Sequence, residues 1–232
     1  MRQLIIKLFT TLSLVILQVF TAGFASAALI TYTSRSDFLA AIAGYNQQTL
    51  NFDSMTAGGL IPSGSSAGGI TFTYNIPHFT MQIEDTFTTT SSPNYLGLNT
   101  NDGAFNHGDS FSMSFSGKID ALGLYVIAGQ NIQVSTGDFR LSIGAGYASN
   151  SGVVDKSLSD GKAYFIGLLD TGAGFSSAEF LSNGGPYGYE FNIDDITMAK
   201  PGSTSVPEPC SLVLLLTCVF GVALSRRIIR VS

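Results

Sequence analysis

The sequence predicts an all-β domain, a two-sheet jelly-roll-like β-sandwich with one short helix near its start. Three observations carry this. The chain has 26 glycines, no tryptophan, and 12% charged against 45% apolar residues, which is the composition of a turn-rich folded domain rather than a disordered one. From residue 49 onward, apolar residues recur at every second position in nine segments. Turn signals separate these segments, among them Ala-Gly-Gly at 57–59, Asn-Asp-Gly at 101–103 and Asn-Gly-Gly-Pro at 183–186, with no helical pattern between them. Strands in such a series bury their apolar faces by stacking as two sheets, and a jelly roll is the expected topology.

Each element follows from its residues. Ser36 caps a helix over 37–43, Gly44 stops it, and Phe38, Leu39 and Ile42 share one face. Strands are expected at 49–53, 70–74, 79–83, 110–115, 119–127, 139–143, 163–169, 178–181 and 189–198. No fixed period suggests a solenoid or propeller.

The two ends differ from this middle. Arg2 and Lys7 precede an apolar run over 8–24, and Ala25-Ser26-Ala27 places small residues where signal peptidase cuts, between Ala27 and Ala28. Residues 1–27 thus read as a signal peptide, the alternative being an uncleaved anchor. At the other end a linker, 201–205, leads into Val206-Pro207-Glu208-Pro209, a fifteen-residue apolar stretch over 210–224, and then Arg226, Arg227 and Arg230. A helix of that stretch spans about 22 Å at about 1.5 Å per residue, short against a hydrocarbon core of about 30 Å, so the arginines would snorkel to complete a transmembrane helix. The positive-inside rule keeps them in the cytoplasm and puts the domain 28–200 on the far side of the inner membrane. The prolines deny helix to the segment around Glu208 and hold it extended, as a protease requires of a substrate. A plain single-pass anchor is the competing reading. A Gram-positive sortase motif is absent, and the terminal arginines argue against a GPI signal.

Val-Pro-Glu-Pro, a short apolar helix and an arginine cluster together resemble the PEP-CTERM sorting signal, over residues 206–230. The resemblance implies processing by exosortase, a membrane-embedded cysteine protease. Pro207, Glu208 and Pro209, with Val206, would then be the recognition residues, and Arg226 and Arg227 the stop signal. Cys210 departs from the small or hydroxyl residue expected there. The opening Phe-Leu-Ala-Ala helix, the Asn-Phe-Asp segment at 51–53 and Phe-x-Ile-Asp-Asp-Ile at 191–196 are also similar to the β-sandwich ectodomains carried by such proteins, and the last to the end of carbohydrate-binding jelly rolls. This implies a location at the cell surface or in the extracellular matrix.

Charge narrows the function. Residues 28–200 hold six basic and fifteen acidic side chains, a net charge of −9, so nucleic acid is excluded as a partner. Both cysteines, Cys210 and Cys218, lie in the tail, so the domain has neither a disulfide nor a zinc–thiolate site. His78 and His107 read as turn residues, although His107, close to Asp109, has the chemistry of a ligand or base. Neither a nucleophile elbow nor a phosphate-binding loop is present, and the domain is expected to be non-catalytic.

Of the carboxylates, Glu84-Asp85 would suit a glycosidase only with a distant partner. Asp194-Asp195 is the stronger pair. Residues two apart in a strand share a face, so Asp195 should point inward with Phe191 and Ile193. It would then need compensation, by a structural calcium shared with Asp53 or by hydrogen bonds alone. Tyr95, Tyr147 and Tyr187 are expected to stand exposed in loops and to stack on sugars. These readings converge on an exported binding or structural module associated with exopolysaccharide, with an envelope polysaccharide hydrolase as the alternative.

Overall fold

The structure is a computed structural model that describes residues 28–183 and 188–201. Its elements begin with β1 (Leu29–Tyr32), α1 (Arg35–Ala41), β2 (Asn46–Leu50), β3 (Leu60–Ile61), β4 (Ser66–Ala67), β5 (Ile70–Thr73), β6 (Met81–Glu84), β7 (Tyr95–Leu98) and β8 (Phe105–Asn106). They continue with β9 (Ser110–Ile119), β10 (Ala121–Gly129), β11 (Phe139–Ile143), β12 (Gly146–Ser149), β13 (Lys156–Ser157), β14 (Gly161–Asp170), β15 (Phe175–Ser182) and β16 (Glu190–Lys200).

All pairings are antiparallel and form two sheets. The larger runs β1-β14-β10-β16-β7-β6-β3, with β13 on β14 and both β2 and β8 on β16. The smaller runs β12-β11-β15-β9-β5-β4. Between them lies one apolar layer, with Leu122, Leu124, Val126, Ile166, Leu168 and Ile193 from the larger sheet and Phe72, Met113, Leu141 and Phe180 from the smaller. The molecule is therefore an all-β sandwich. With no tryptophan available, phenylalanine fills its centre: Phe139 and Phe191 lie 5.1 Å apart between centroids, as do Phe111 and Phe180. Each such buried ring contributes roughly 1.5–3 kcal/mol.

The period-two pattern explains the smaller sheet directly. In β9, Phe111, Met113 and Phe115 point inward while the intervening serines point out. Strands β10, β14 and β16 differ, being buried on both faces. Their outer face carries a second apolar cluster of Ala121, Tyr125, Ile127, Ala163, Phe165 and Leu169, covered by Phe38 and Ile42 from α1 and its C-cap. Phe38 seats there because Gly123 and Gly167 face each other across β10 and β14. A Cβ on Gly167 would stand 2.9 Å from the Phe38 ring and 2.7 Å from that of Phe165.

The structure corrects several boundaries. The segment 119–127 is the junction of two strands, and Asp120 between them marks where the chain leaves the smaller sheet for the larger. The expected strand 49–53 ends at Leu50, because Phe52 takes φ 60° to bury its ring completely and turns the chain there. The helix starts at Arg35, with Ser34 rather than Ser36 at its N-cap. Short strands such as β3, β4, β8 and β13 hold two residues each, too few for a period to be read. Among the described residues no helix is long and apolar enough to cross a membrane. The expected signal peptide 1–27, the remainder of the linker from residue 202, and the sorting segment 206–230 lie outside the described residues.

Candidate functional site

The closing strand β16 organises the polar chemistry of the domain. Its register against β10 shifts where Gly123 pairs with Thr197 but Tyr125 pairs with Asp194, leaving an extra residue in β16. Asp195 takes φ 52° in this bulge, a left-handed conformation that aspartate tolerates better than most residues. The bulge breaks the alternation. Phe191 and Ile193 belong to the inter-sheet core, and so do Ile196 and Met198, whereas Asp195 turns to the outer face. The expectation that Asp195 shares the inward face of Phe191 and Ile193 is thus overturned by one inserted residue.

On the outer face Asp195 meets Arg35. Arg35 Nη1 lies 3.1 Å from Asp195 Oδ2, an ion pair by distance without hydrogen-bond alignment. The guanidinium also stands 5.6 Å from the centre of the Tyr125 ring. Tyr125 donates its hydroxyl to Asp155 Oδ2 at 2.5 Å. Burial, and secondly this bond to a carboxylate, push the Tyr125 phenol well above its ordinary pKa. Arg35, Tyr125 and Asp155 were not singled out in the sequence. The signal was faint: Arg35 is one of six basic residues in the domain and directly precedes the helix face that docks on the sheet.

Asp194 is fully buried and holds a loop. Its Oδ2 accepts from the hydroxyls of Thr89, Thr90 (2.8 Å) and Ser91 (3.1 Å) and from the backbone N–H of Ser91 (2.9 Å). Its Oδ1 accepts from the Asp195 N–H at 2.7 Å. Desolvation outweighs these donors and pushes the Asp194 carboxyl up to about 6, with Asp195 adding repulsion. Asp53 holds the same loop further along, accepting from Asn51 Nδ2 (2.8 Å) and from the Asn94 N–H (3.2 Å). The Asn-Phe-Asp and Asp-Asp motifs are therefore two ends of one clamp on residues 89–94. Among the described residues no group of three or more His, Cys, Asp or Glu side chains is arranged to hold a metal ion.

A cleft of about 730 Å³ opens at one end of the sandwich, lined by Phe87, Asn106, His107, Gln130, Asn131, Tyr189 and Glu190 among others. Asp102 stands beside Glu190 and raises its carboxyl, with burial adding to the shift. The Asp102 carboxyl is lowered, first by Thr100 and then by Glu190. Glu84 is raised by burial and then by its neighbour Asp85. His107 is exposed, 6.1 Å between ring centres from Tyr189, and His78 sits in a turn at φ 69°.

Of the expected stacking residues, Tyr95 is completely buried, because β7 is an interior strand of the larger sheet rather than a loop. Its phenol is pushed up to about 12, chiefly by burial. Tyr147 is 53% exposed, on edge strand β12, with the Arg140 guanidinium 4.2 Å from its ring centre. Tyr187 lies outside the described residues. Ala28 is the first described residue, and its N–H donates to Thr171 Oγ1 at 3.0 Å.

Comparison with family models, with curated proteins and with solved structures finds no match.

Proposed function

We propose that this protein is an exported, non-catalytic binding module for extracellular polysaccharide. In this reading signal peptidase frees it at Ala28, and a PEP-CTERM tail holds it in the inner membrane, facing the periplasm. Exosortase then releases it to the cell surface or matrix. The observation that carries the reading is a pair of sequence signals flanking the sandwich strands, which run from Leu29 in β1 to Lys200 in β16. Ala25-Ser26-Ala27 follows an apolar run on one side, and Val206-Pro207-Glu208-Pro209 precedes an apolar stretch and Arg226, Arg227 and Arg230 on the other.

The absence of turnover is supported by how the carboxylates are used. Asp194 and Asp53 hold the loop 89–94, and Asp195 faces Arg35. A jelly-roll order is supported by the repeated crossing of the chain between sheets from β9 to β11 and from β14 to β16. Calcium at Asp53 and Asp195 is the expectation from sequence. We favour the Arg35 guanidinium as the group that compensates Asp195, since a cation there would have to displace it.

Incubating the full-length protein with extracellular polysaccharide, and measuring both retention on the polymer and release of reducing ends, tests the proposal. Retention without release is expected. Release that disappears in Glu190→Gln would establish the hydrolase instead.

A further inference from the structure

The outer face of the smaller sheet is a lattice of hydroxyl groups. Strand pairing aligns Thr73, Ser112, Glu179, Ser142 and Tyr147 in one row across β5, β9, β15, β11 and β12. A second row aligns Ser66, Thr71, Ser114 and Ser177. A third aligns Ser110, Leu181, Arg140 and Ser149. Strands lie about 4.8 Å apart and same-face residues about 6.8 Å apart along each strand. The first row therefore presents one side chain per strand over roughly 19 Å.

The outward residues are a choice of sequence, not a by-product of folding. The inward neighbours in β9 are all large and apolar, and nothing in the core requires serine at 110, 112, 114 and 116. Serine also has low strand propensity compared with threonine or valine. The face is not flat throughout. A shallow groove of about 270 Å³ runs between Ser112, Ser142, Ser177 and Glu179, and Tyr147 stands beside it. Arg140 Nε finds no acceptor among the described residues, and the guanidinium lies 4.2 Å from the centre of the Tyr147 ring.

We infer that this face binds a neutral polysaccharide laid across the strands. The inference rests on the reading of the protein as a polysaccharide-binding module and names its site and ligand class. The spacing between strands is comparable with the length of one sugar ring, so successive sugars meet successive side chains. Hydroxyls and the Glu179 carboxylate take the hydrogen bonds of sugar hydroxyls, and Tyr147 offers a ring for stacking. Charge selects the polymer. The face carries Arg140 and Glu179, with Lys118 near the end of β9, and the domain around it has a net charge of −9, which repels a uronate chain.

The test is co-sedimentation of the full-length protein, in mild detergent and without calcium, with cellulose, amylose gel and alginate coupled covalently to agarose beads, beside sedimentation velocity of the protein alone. Binding to a neutral polymer and not to alginate is expected. Tyr147→Ala should weaken it at least tenfold, and Ser112→Glu, which adds charge to the groove, should abolish it. Both positions point away from the core, and unchanged thermal unfolding of each variant confirms the fold. If wild type binds a neutral polymer and both variants bind equally well, this face is wrong while the binding-module reading stands. If no polymer is bound, or alginate is preferred, the reading and the site fall together. A dimer that Ser112→Glu dissolves, without any glycan binding, would make the face an interface between copies and overturn the inference.

Discussion

Arg35 and Asp195 stand 3.1 Å apart on the outer face of the larger sheet, one at the start of the only described helix and the other in the bulge of the last strand. The pair joins the helix to the last described strand. Asp195 is nearly buried while Arg35 is about one-third exposed, so solvent screens part of the attraction. Removing only the cation is the costly change, because it strands a carboxylate out of water. Arg35→Ala should destabilise the domain by about 1–3 kcal/mol, and Arg35→Ala with Asp195→Asn by less. Thermal unfolding checks this. A chelator should leave the wild-type transition unmoved; a fall in the transition that Asp195→Asn eliminates would restore calcium to the site.

Asp194 gives the fold a pH dependence. Its carboxyl titrates near 6 in the folded protein and near its ordinary 3.8 when unfolded. Between those values the folded state holds a proton that the unfolded chain has released. The contribution is fully present below about 3.8 and is lost as pH rises through about 6. Urea unfolding at pH 5 and pH 7 should therefore show the domain more stable at pH 5, by roughly 1–2 kcal/mol of a full effect near 3. In Asp194→Asn the difference between the two pH values should shrink. An undiminished difference would place the titration elsewhere.

The seat of Phe38 makes a contrast between glycines. A Cβ at Gly123 would stand 2.6 Å from the Phe165 ring and 2.9 Å from that of Phe38, whereas one at Gly44 would meet nothing within 4 Å. Gly123→Ala should cost about 1–3 kcal/mol by forcing the helix off the sheet, and Gly44→Ala should be neutral or slightly stabilising. Equal effects in denaturant unfolding would contradict the docking of α1.

How far the sequence led depended on how far each pattern was local. The serine–aromatic alternation of β9 and the Phe38–Ile42 face were legible because period and burial coincide within a few residues. The pairing of Asp195 was not. A single inserted residue reversed its face, and nothing local announces a bulge in Phe-Asn-Ile-Asp-Asp-Ile. Tyr95 was misplaced for a related reason: Ser-Ser-Pro-Asn before it reads as loop, and the strand it opens holds only four residues. The acid pair Asp102–Glu190 joins positions 88 residues apart, a distance that no motif bridges.

Delivery and processing are read from the intact mass of the protein recovered from the envelope and medium of the native cell. The account predicts a chain that begins at Ala28 and has lost the apolar stretch 210–224 with its arginines. In Pro207→Ala with Glu208→Ala the chain should begin at the same residue but keep its tail and remain with the membrane. A wild-type mass that retains Met1, or wild type and variant both carrying the complete tail, would contradict it.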